Sequence, residues 1–102
     1  MESLLAKARS RGAINIVIKL CVDFVPEGEL TNDRAVRAQR RTIAQTQNRL
    51  LKQLSRYKVK AVKKYEFTPL LAMQVDAAAL RFLKNSALVA GFEEDQAVPS
   101  SL

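Results

Sequence analysis

Alternating apolar side chains between residues 14 and 24 constrain the fold more than any other feature of this sequence. The apolar positions are Ile14, Ile16, Ile18, Leu20, Val22 and Phe24, and Asn15, Lys19 and Asp23 lie between them. A period of two is typical of a β-strand that is buried on one face only. We therefore predict a first strand over this whole stretch, with an apolar layer packed against one of its faces.

A long amphipathic helix is predicted next, after a loop that contains a proline and a glycine. Thr31, Asn32 or Asp33 can cap its first turn, because each offers a side-chain oxygen to unpaired amides. Neither proline nor glycine interrupts residues 34–55, and apolar side chains recur there at helical spacing. The apolar stripe consists of Val36, Ile43, Leu50 and Leu54, with Ala44 and Leu51 beside it. We expect this stripe to pack against the first strand.

Two further strands are predicted in the middle of the chain. Residues 57–67 are strand-like, but their apolar side chains do not keep one parity, which indicates a shifted register or a bulge. Thr68-Pro69 marks a turn, and Leu71, Met73 and Val75 alternate in the strand that follows. Together the two segments predict a central hairpin.

Short elements occupy the two ends of the chain. Glu2–Arg11 is predicted to be a lead-in helix, which stops at Gly12. Asp76 is expected to cap a second core helix over residues 77–84, and a last strand is predicted from Leu88 to Phe92.

The order strand, helix, strand, strand, helix, strand predicts an α+β fold. It is the order of the ferredoxin-like βαββαβ sandwich, in which two helices cover one face of a four-stranded antiparallel sheet. We divide the chain into a lead-in helix (1–12), the ferredoxin-like domain (13–95) and an extended tail (96–102). The tail is uncharged, rich in small residues and contains a proline, so it has too little to bury to hold a fold of its own.

Composition argues against most kinds of enzyme site. The chain has no histidine and a single cysteine, Cys21, which excludes a Cys/His metal site and leaves serine and thiol nucleophiles without a histidine base. The glycines are too scattered for a phosphate-binding loop, and the acids do not pair as general acid and base. We expect no enzymatic activity and no cofactor. We also expect no membrane span, because no apolar run approaches the roughly 18 residues that one needs.

A net charge of +7 leaves nucleic-acid binding as an alternative function. Domains with this order of elements can stack RNA bases on sheet aromatics, and Tyr65 and Phe67 lie near Lys60, Lys63 and Lys64. The basic, glycine and aromatic motif of such domains is missing, so nucleic acid is not our expected partner. A third, weaker alternative is a small-molecule-sensing regulatory domain that dimerises through its sheet.

Three consecutive acids, Glu93, Glu94 and Asp95, end the last strand of this basic chain. They could be a solvated strand end. Alternatively, Glu93 and Asp95 point the same way on an extended chain, while Glu94 points to the other side. Carboxylates in that position can accept hydrogen bonds from the free amides at another protein's helix N-termini, where the helix dipole also favours negative charge.

These residues suggest a family. Val89–Asp95, after a short helix and before an uncharged tail, resembles the end of the inhibitor domains that serve as propeptides of subtilisin-like serine proteases. The resemblance covers nearly the whole chain. Further matching segments are Ile16–Leu20, Phe24–Leu30, Gln39-Arg40, Ile43–Gln45, Tyr65, Pro69, Leu71–Met73 and Val75–Leu80. The first-strand pattern and the acidic ending together make the resemblance fairly specific.

The resemblance implies a tight, temporary protease inhibitor that also acts as an intramolecular chaperone. In the family the sheet packs against two surface helices of the protease, and the acids that match Glu93 and Asp95 cap those helices. The tail would lie in the active-site cleft in the manner of a product, with Leu102 or a nearby residue in the primary specificity pocket. The implied cleft-binding residues are Ala97, Val98, Pro99, Ser100, Ser101 and Leu102.

The resemblance also carries expectations about context. The partner would be the catalytic domain of a subtilisin-like protease, and the free domain would be a monomer. Such a chain would be secreted or periplasmic as part of a protease precursor, although residues 1–12 are too charged to be a secretory signal. A free-standing inhibitor would instead be cytoplasmic.

Overall fold

Three α-helices and four β-strands follow one another in residues 2–95, the part of the chain that this computed structural model describes. They are α1 (Glu2–Arg11), β1 (Ile14–Leu20), α2 (Asp33–Gln53), β2 (Val59–Lys64), β3 (Leu70–Val75), α3 (Ala77–Lys84) and β4 (Val89–Glu94). Two short 3₁₀ turns occupy Glu27–Glu29 and Leu54–Arg56. Without α1, the order is the predicted βαββαβ.

The four strands form one antiparallel sheet in the order β2-β3-β1-β4. The two central strands, β1 and β3, are not neighbours in sequence, and the chain crosses over between them through α2 and the hairpin. This topology is ferredoxin-like, so the predicted fold class is confirmed.

Side chains of one parity in β1 form the centre of the core. Ile14, Ile16, Ile18 and Leu20 are buried, whereas Asn15 and Lys19 between them are exposed. The buried side chains pack with Leu71, Met73 and Val75 of β3 and with the apolar faces of the helices. The helices therefore lie on one face of the sheet, which we call the helix face, and the opposite face is the open face.

The first strand is shorter than predicted. It ends at Leu20, and Phe24 is 37% exposed. The amide of Leu20 donates to the carbonyl of Pro69 and that of Cys21 donates to Leu88, but the next amide, that of Val22, bonds back to Leu20 instead of to a neighbouring strand. The prediction was wrong beyond residue 20 because the alternating pattern continues after the partner strands have ended.

The lead-in helix α1 is a third helix packed against this core. Leu5 is 7% exposed and Ala8 is 1% exposed, and both belong to the same apolar cluster as β1 and α3. Gly12 ends the helix as predicted, since its φ is +88° and its amide donates to the carbonyl of Ala8 at 2.9 Å. A left-handed residue after the last turn is the usual way for a helix to satisfy its final carbonyls.

Helix α2 follows its predicted pattern, with one unexpected member. Asn32 is the cap, and its Oδ1 atom accepts a hydrogen bond from the amide of Ala35 at 2.8 Å. Ile43 and Leu50 are fully buried, and the polar Gln47 is buried between them. Its Nε2 atom donates to the carbonyls of Tyr65 and Leu70, at 2.9 Å each. This contact ties α2 to the turn end of the β2–β3 hairpin, where β2 ends and β3 begins.

Strand β2 contains the predicted irregularity. Its pairing with β3 shifts between Lys60 and Lys63, and Ala61 has a φ of 54°. That left-handed conformation is costly for alanine and is typical of a bulge.

Helix α3 begins at its predicted cap, Asp76, which accepts a hydrogen bond from the amide of Ala79 at 2.9 Å. None of the helices described in residues 2–95 combines the length and apolarity needed to cross a membrane.

Candidate docking face

The final strand runs two residues further than predicted, through Glu94. It pairs with β1 in a register that places Glu93 opposite Val17 and Glu94 opposite Ile16. The sequence prediction ended the strand at Phe92 because charged residues follow, but their backbone continues the ladder with β1. Directly opposed residues in an antiparallel pair share a face of the sheet. Glu94 therefore lies on the helix face with Ile16, and Glu93 lies on the open face with Val17.

Contacts of Glu94 with α1 agree with this assignment. Its Oε1 atom accepts a hydrogen bond from the Nζ atom of Lys7 at 2.7 Å, and its Oε2 atom lies 3.9 Å from the guanidinium of Arg11. The Glu94 side chain is only 16% exposed. Glu94, the middle acid of the run, thus forms ion pairs within the domain.

Glu93 is exposed, and Asp95 continues the extended backbone. The amide of Asp95 donates to the carbonyl of Asn15 at 2.8 Å, one residue beyond the end of β4. Glu93 and Asp95 are two positions apart, so the extended backbone gives them the same parity. The structure thus places Glu94 apart from Glu93, as the sequence predicted; a capping role for Glu93 and Asp95 remains a prediction.

The open face has a small apolar centre and a charged periphery. Val17 and Leu70 are half-buried and Ala72 is 7% exposed, although these side chains face away from the core. Lys19 and Lys63 are exposed around them. Within residues 2–95 no helix covers this face. An apolar centre with a polar rim is the usual composition of a protein interface.

A hollow of about 270 Å³ lies between β1 and β4 on the open face. It is lined by Val17, Lys19, Leu70, Ala90, Gly91, Phe92 and Glu93. Glu93, a predicted site residue, therefore lies at the edge of a concave surface.

The predicted cleft-binding residues lie outside the described part of the chain. They are Ala97, Val98, Pro99, Ser100, Ser101 and Leu102. Their role stays a prediction.

Four aromatic side chains within residues 2–95 contact other side chains of this domain. Tyr57 packs against Phe82 with ring centroids 5.2 Å apart. The guanidinium of Arg40 lies 4.4 Å from the centroid of Phe67, and the ammonium of Lys63 lies 5.0 Å from that of Tyr65. Each of these rings already has an intramolecular partner.

Contacts between α2 and the loop after β1 were missed by the sequence reasoning. The side chain of Gln39 bonds both the amide and the carbonyl of Val25, at 3.0 and 2.8 Å. Arg40 donates two hydrogen bonds to the carboxylate of Glu27, at 2.7 and 2.8 Å. These bonds hold the pKa of Glu27 below its ordinary value and raise that of Arg40. The available signal was the acids of the loop, Glu27 and Glu29, together with several arginines off the apolar stripe of α2, and this signal is weak because it does not select one pair.

No group of three or more His, Cys, Asp or Glu side chains that could hold a metal occurs within residues 2–95. Comparisons with protein-family models, with curated proteins and with solved structures find no match. The function must therefore be argued from the docking face itself.

Proposed function

We propose that this chain is a propeptide-type inhibitor and intramolecular chaperone of a subtilisin-like serine protease. The proposal has two supports. One is the resemblance in sequence, and the other is a ferredoxin-like domain with an exposed acid, Glu93, at the edge of its open face. The observation that carries it is the division of the acidic run: Glu94 is paired with Lys7 at 2.7 Å on the helix face, while Glu93 is exposed on the open face.

Electrostatics explains how such an arrangement would recognise a protease. The first turn of a helix has unpaired amides and a partial positive charge, so a carboxylate placed there accepts hydrogen bonds and gains from the dipole. Glu93 and Asp95, two apart on an extended backbone, could approach two neighbouring helix N-termini. The sheet would then cover both helices with its apolar centre.

Inhibition would come from the residues that follow β4. An extended peptide binds a protease cleft by strand addition, in which its backbone supplies affinity and alternate side chains fill pockets. Residues 96–102 directly follow the docking acids, and their side chains are uncharged. This chain would catalyse no chemical step, because its tail would occupy the cleft as a product does.

The chaperone role follows from linkage. A partner that binds only the folded form stabilises that form by mass action. A protease domain that docks on the open face would therefore favour the folded propeptide, and the folded propeptide would equally favour the docked protease surface.

The direct test is a titration of this chain against a panel of active, broad-specificity bacterial subtilisins, with hydrolysis of a chromogenic peptide as the readout. We expect competitive inhibition that decays as the chain is digested. Absence of inhibition across the whole panel would reject the proposal. Binding to mixed single-stranded RNA that weakens steeply with added salt would instead support the nucleic-acid alternative.

Variants separate the two parts of the proposed site. Replacing Glu93 and Asp95 by alanine should weaken inhibition, and unchanged inhibition would rule out their capping role. Removing the last four residues should reduce inhibition much more than folding. Glu94→Gln is the matched control, because it neutralises an acid of the same run that faces α1 instead of the open face.

A further inference from the structure

Gly91 creates the hollow on the open face without being required by the backbone. A Cβ atom built on Gly91 meets no other atom within 4 Å, and the residue does not have the positive φ that Gly12 has. Glycine inside a strand costs stability relative to alanine, because more backbone freedom is lost on folding. In the free domain, neither a close packing contact nor a special backbone conformation at Gly91 offsets this cost.

The hollow is suited to a side chain of another protein. At about 270 Å³ it is smaller than the roughly 300–1,000 Å³ pockets that enclose drug-sized ligands. Two of its apolar members, Val17 and Leu70, are half-buried, while the charged Lys19 and Glu93 beside them are exposed. A single apolar side chain would bury the first pair and leave the charges at the edge.

Spacing along β4 connects the hollow with Glu93. The two residues Gly91 and Glu93 share the open face and lie about 6.8 Å apart along the strand. One turn of an α-helix advances about 5.4 Å. A partner helix that presents its N-terminal amides to Glu93 and runs roughly along β4 therefore brings a side chain from its next turn close to Gly91.

We propose that the hollow at Gly91 receives an apolar side chain from the second turn of the partner helix whose N-terminus Glu93 caps. This inference rests on the proposed function and adds a specificity-determining position to the same docking face. The negative charge of Glu93 selects a helix N-terminus as the occupant, and the missing side chain of Gly91 selects an apolar knob on that helix. The two features thus act on one element of the partner.

The experiment fills the hollow by adding a side chain at Gly91 of this chain. Gly91→Ala and Gly91→Leu are compared with the unmodified chain in inhibition of the same panel of bacterial subtilisins. The matched control is Ala38→Leu, which adds the same apolar side chain at an exposed position of α2. Thermal unfolding followed by circular dichroism checks that each variant is folded.

Inhibition by Gly91→Leu should be weaker by about tenfold or more, since an overfilled site forces the two surfaces apart. Gly91→Ala should lose less, Ala38→Leu should inhibit within about twofold of the unmodified chain, and the Gly91 variants should unfold at an unchanged or higher temperature.

Equal or tighter inhibition by Gly91→Leu would overturn the knob at Gly91 while leaving the proposed function intact. Failure of the unmodified chain to inhibit any member of the panel would overturn both. Equal losses in Gly91→Leu and Ala38→Leu would show that added surface hydrophobicity, and not the hollow, is responsible, and would also overturn the inference.

Discussion

The Nζ atom of Lys7 lies 2.7 Å from the Oε1 atom of Glu94 and joins the first helix to the last strand. The pair connects residues 87 positions apart in the sequence. It gives the middle acid of the Glu93–Asp95 run an internal role, and so leaves the open face to Glu93. A structural charge and a candidate docking charge are thus adjacent in sequence and separated by the thickness of the sheet.

Glu94→Gln should lower the free energy of unfolding, because Lys7 and Arg11 lose their anionic partner. Exposed pairs contribute about 0.2–1 kcal/mol, and the small exposure of Glu94 favours the upper part of that range. Urea denaturation of Glu94→Gln, Lys7→Met and the double variant measures the coupling. Glu93→Gln is the control and should leave stability unchanged; a loss equal to that of Glu94→Gln would contradict the assignment of the two acids to opposite faces.

Replacing Gln47 by leucine should destabilise the domain even though it makes the core more apolar. The carbonyls of Tyr65 and Leu70 each lose a donor at 2.9 Å, and that of Leu70 keeps only a longer hydrogen bond of 3.4 Å from the amide of Tyr65. An unsatisfied group of this kind costs about 1–3 kcal/mol. Urea denaturation should show this loss for Gln47→Leu, while Gln45→Leu at a neighbouring exposed position should stay within about 0.5 kcal/mol of the unmodified chain. A more stable Gln47→Leu variant would show that these hydrogen bonds are dispensable.

Low pH should weaken the salt bridge between Glu27 and Arg40. Hydrogen bonds from Arg40 lower the pKa of Glu27 below its ordinary value of 4.5 in the folded chain. Stability from a carboxylate with a depressed pKa is fully present above the unfolded-state pKa and is lost as pH falls through the folded-state pKa. The stability difference between the unmodified chain and Glu27→Gln should thus be constant near neutral pH and shrink below about pH 4.5. Thermal unfolding across that range measures it, and a difference that persists undiminished at pH 2 would be inconsistent with the pair.

Local patterns predicted the elements, and contacts between distant segments decided where they end. The period of two in β1, the cap at Asp76 and a cap of α2 among Thr31, Asn32 and Asp33 depend only on neighbouring residues, so they could be predicted. The end of β1 at Leu20 depends on where its partner strands stop. The burial of Gln47 was not predicted, because its partners are carbonyls of a hairpin that follows α2 in the sequence.

The candidate site could also be predicted only in part. Opposite directions for Glu93 and Glu94 follow from the period of a strand, and this part was predicted. The partner of Glu94 could not be predicted, since Lys7 belongs to a helix at the other end of the chain. The hollow could not be predicted either, because it requires the register of β1, β3 and β4 together.

Helix α1 should be part of the cooperative folding unit, although the sequence suggested a separate lead-in segment over residues 1–12. Leu5 is 7% exposed and packs within the same apolar cluster as β1 and α3. Leu5→Ala should therefore lower the free energy of unfolding by about 2–3 kcal/mol, near the lower end for leucine truncations because the site is at the edge of the core. Leu4→Ala, at a half-buried neighbouring position, should cost less. A single unfolding transition by circular dichroism, shifted to lower urea in Leu5→Ala, would identify one unit. An unshifted transition would mean that residues 13–95 fold without α1, and the domain boundary at residue 12 would then stand.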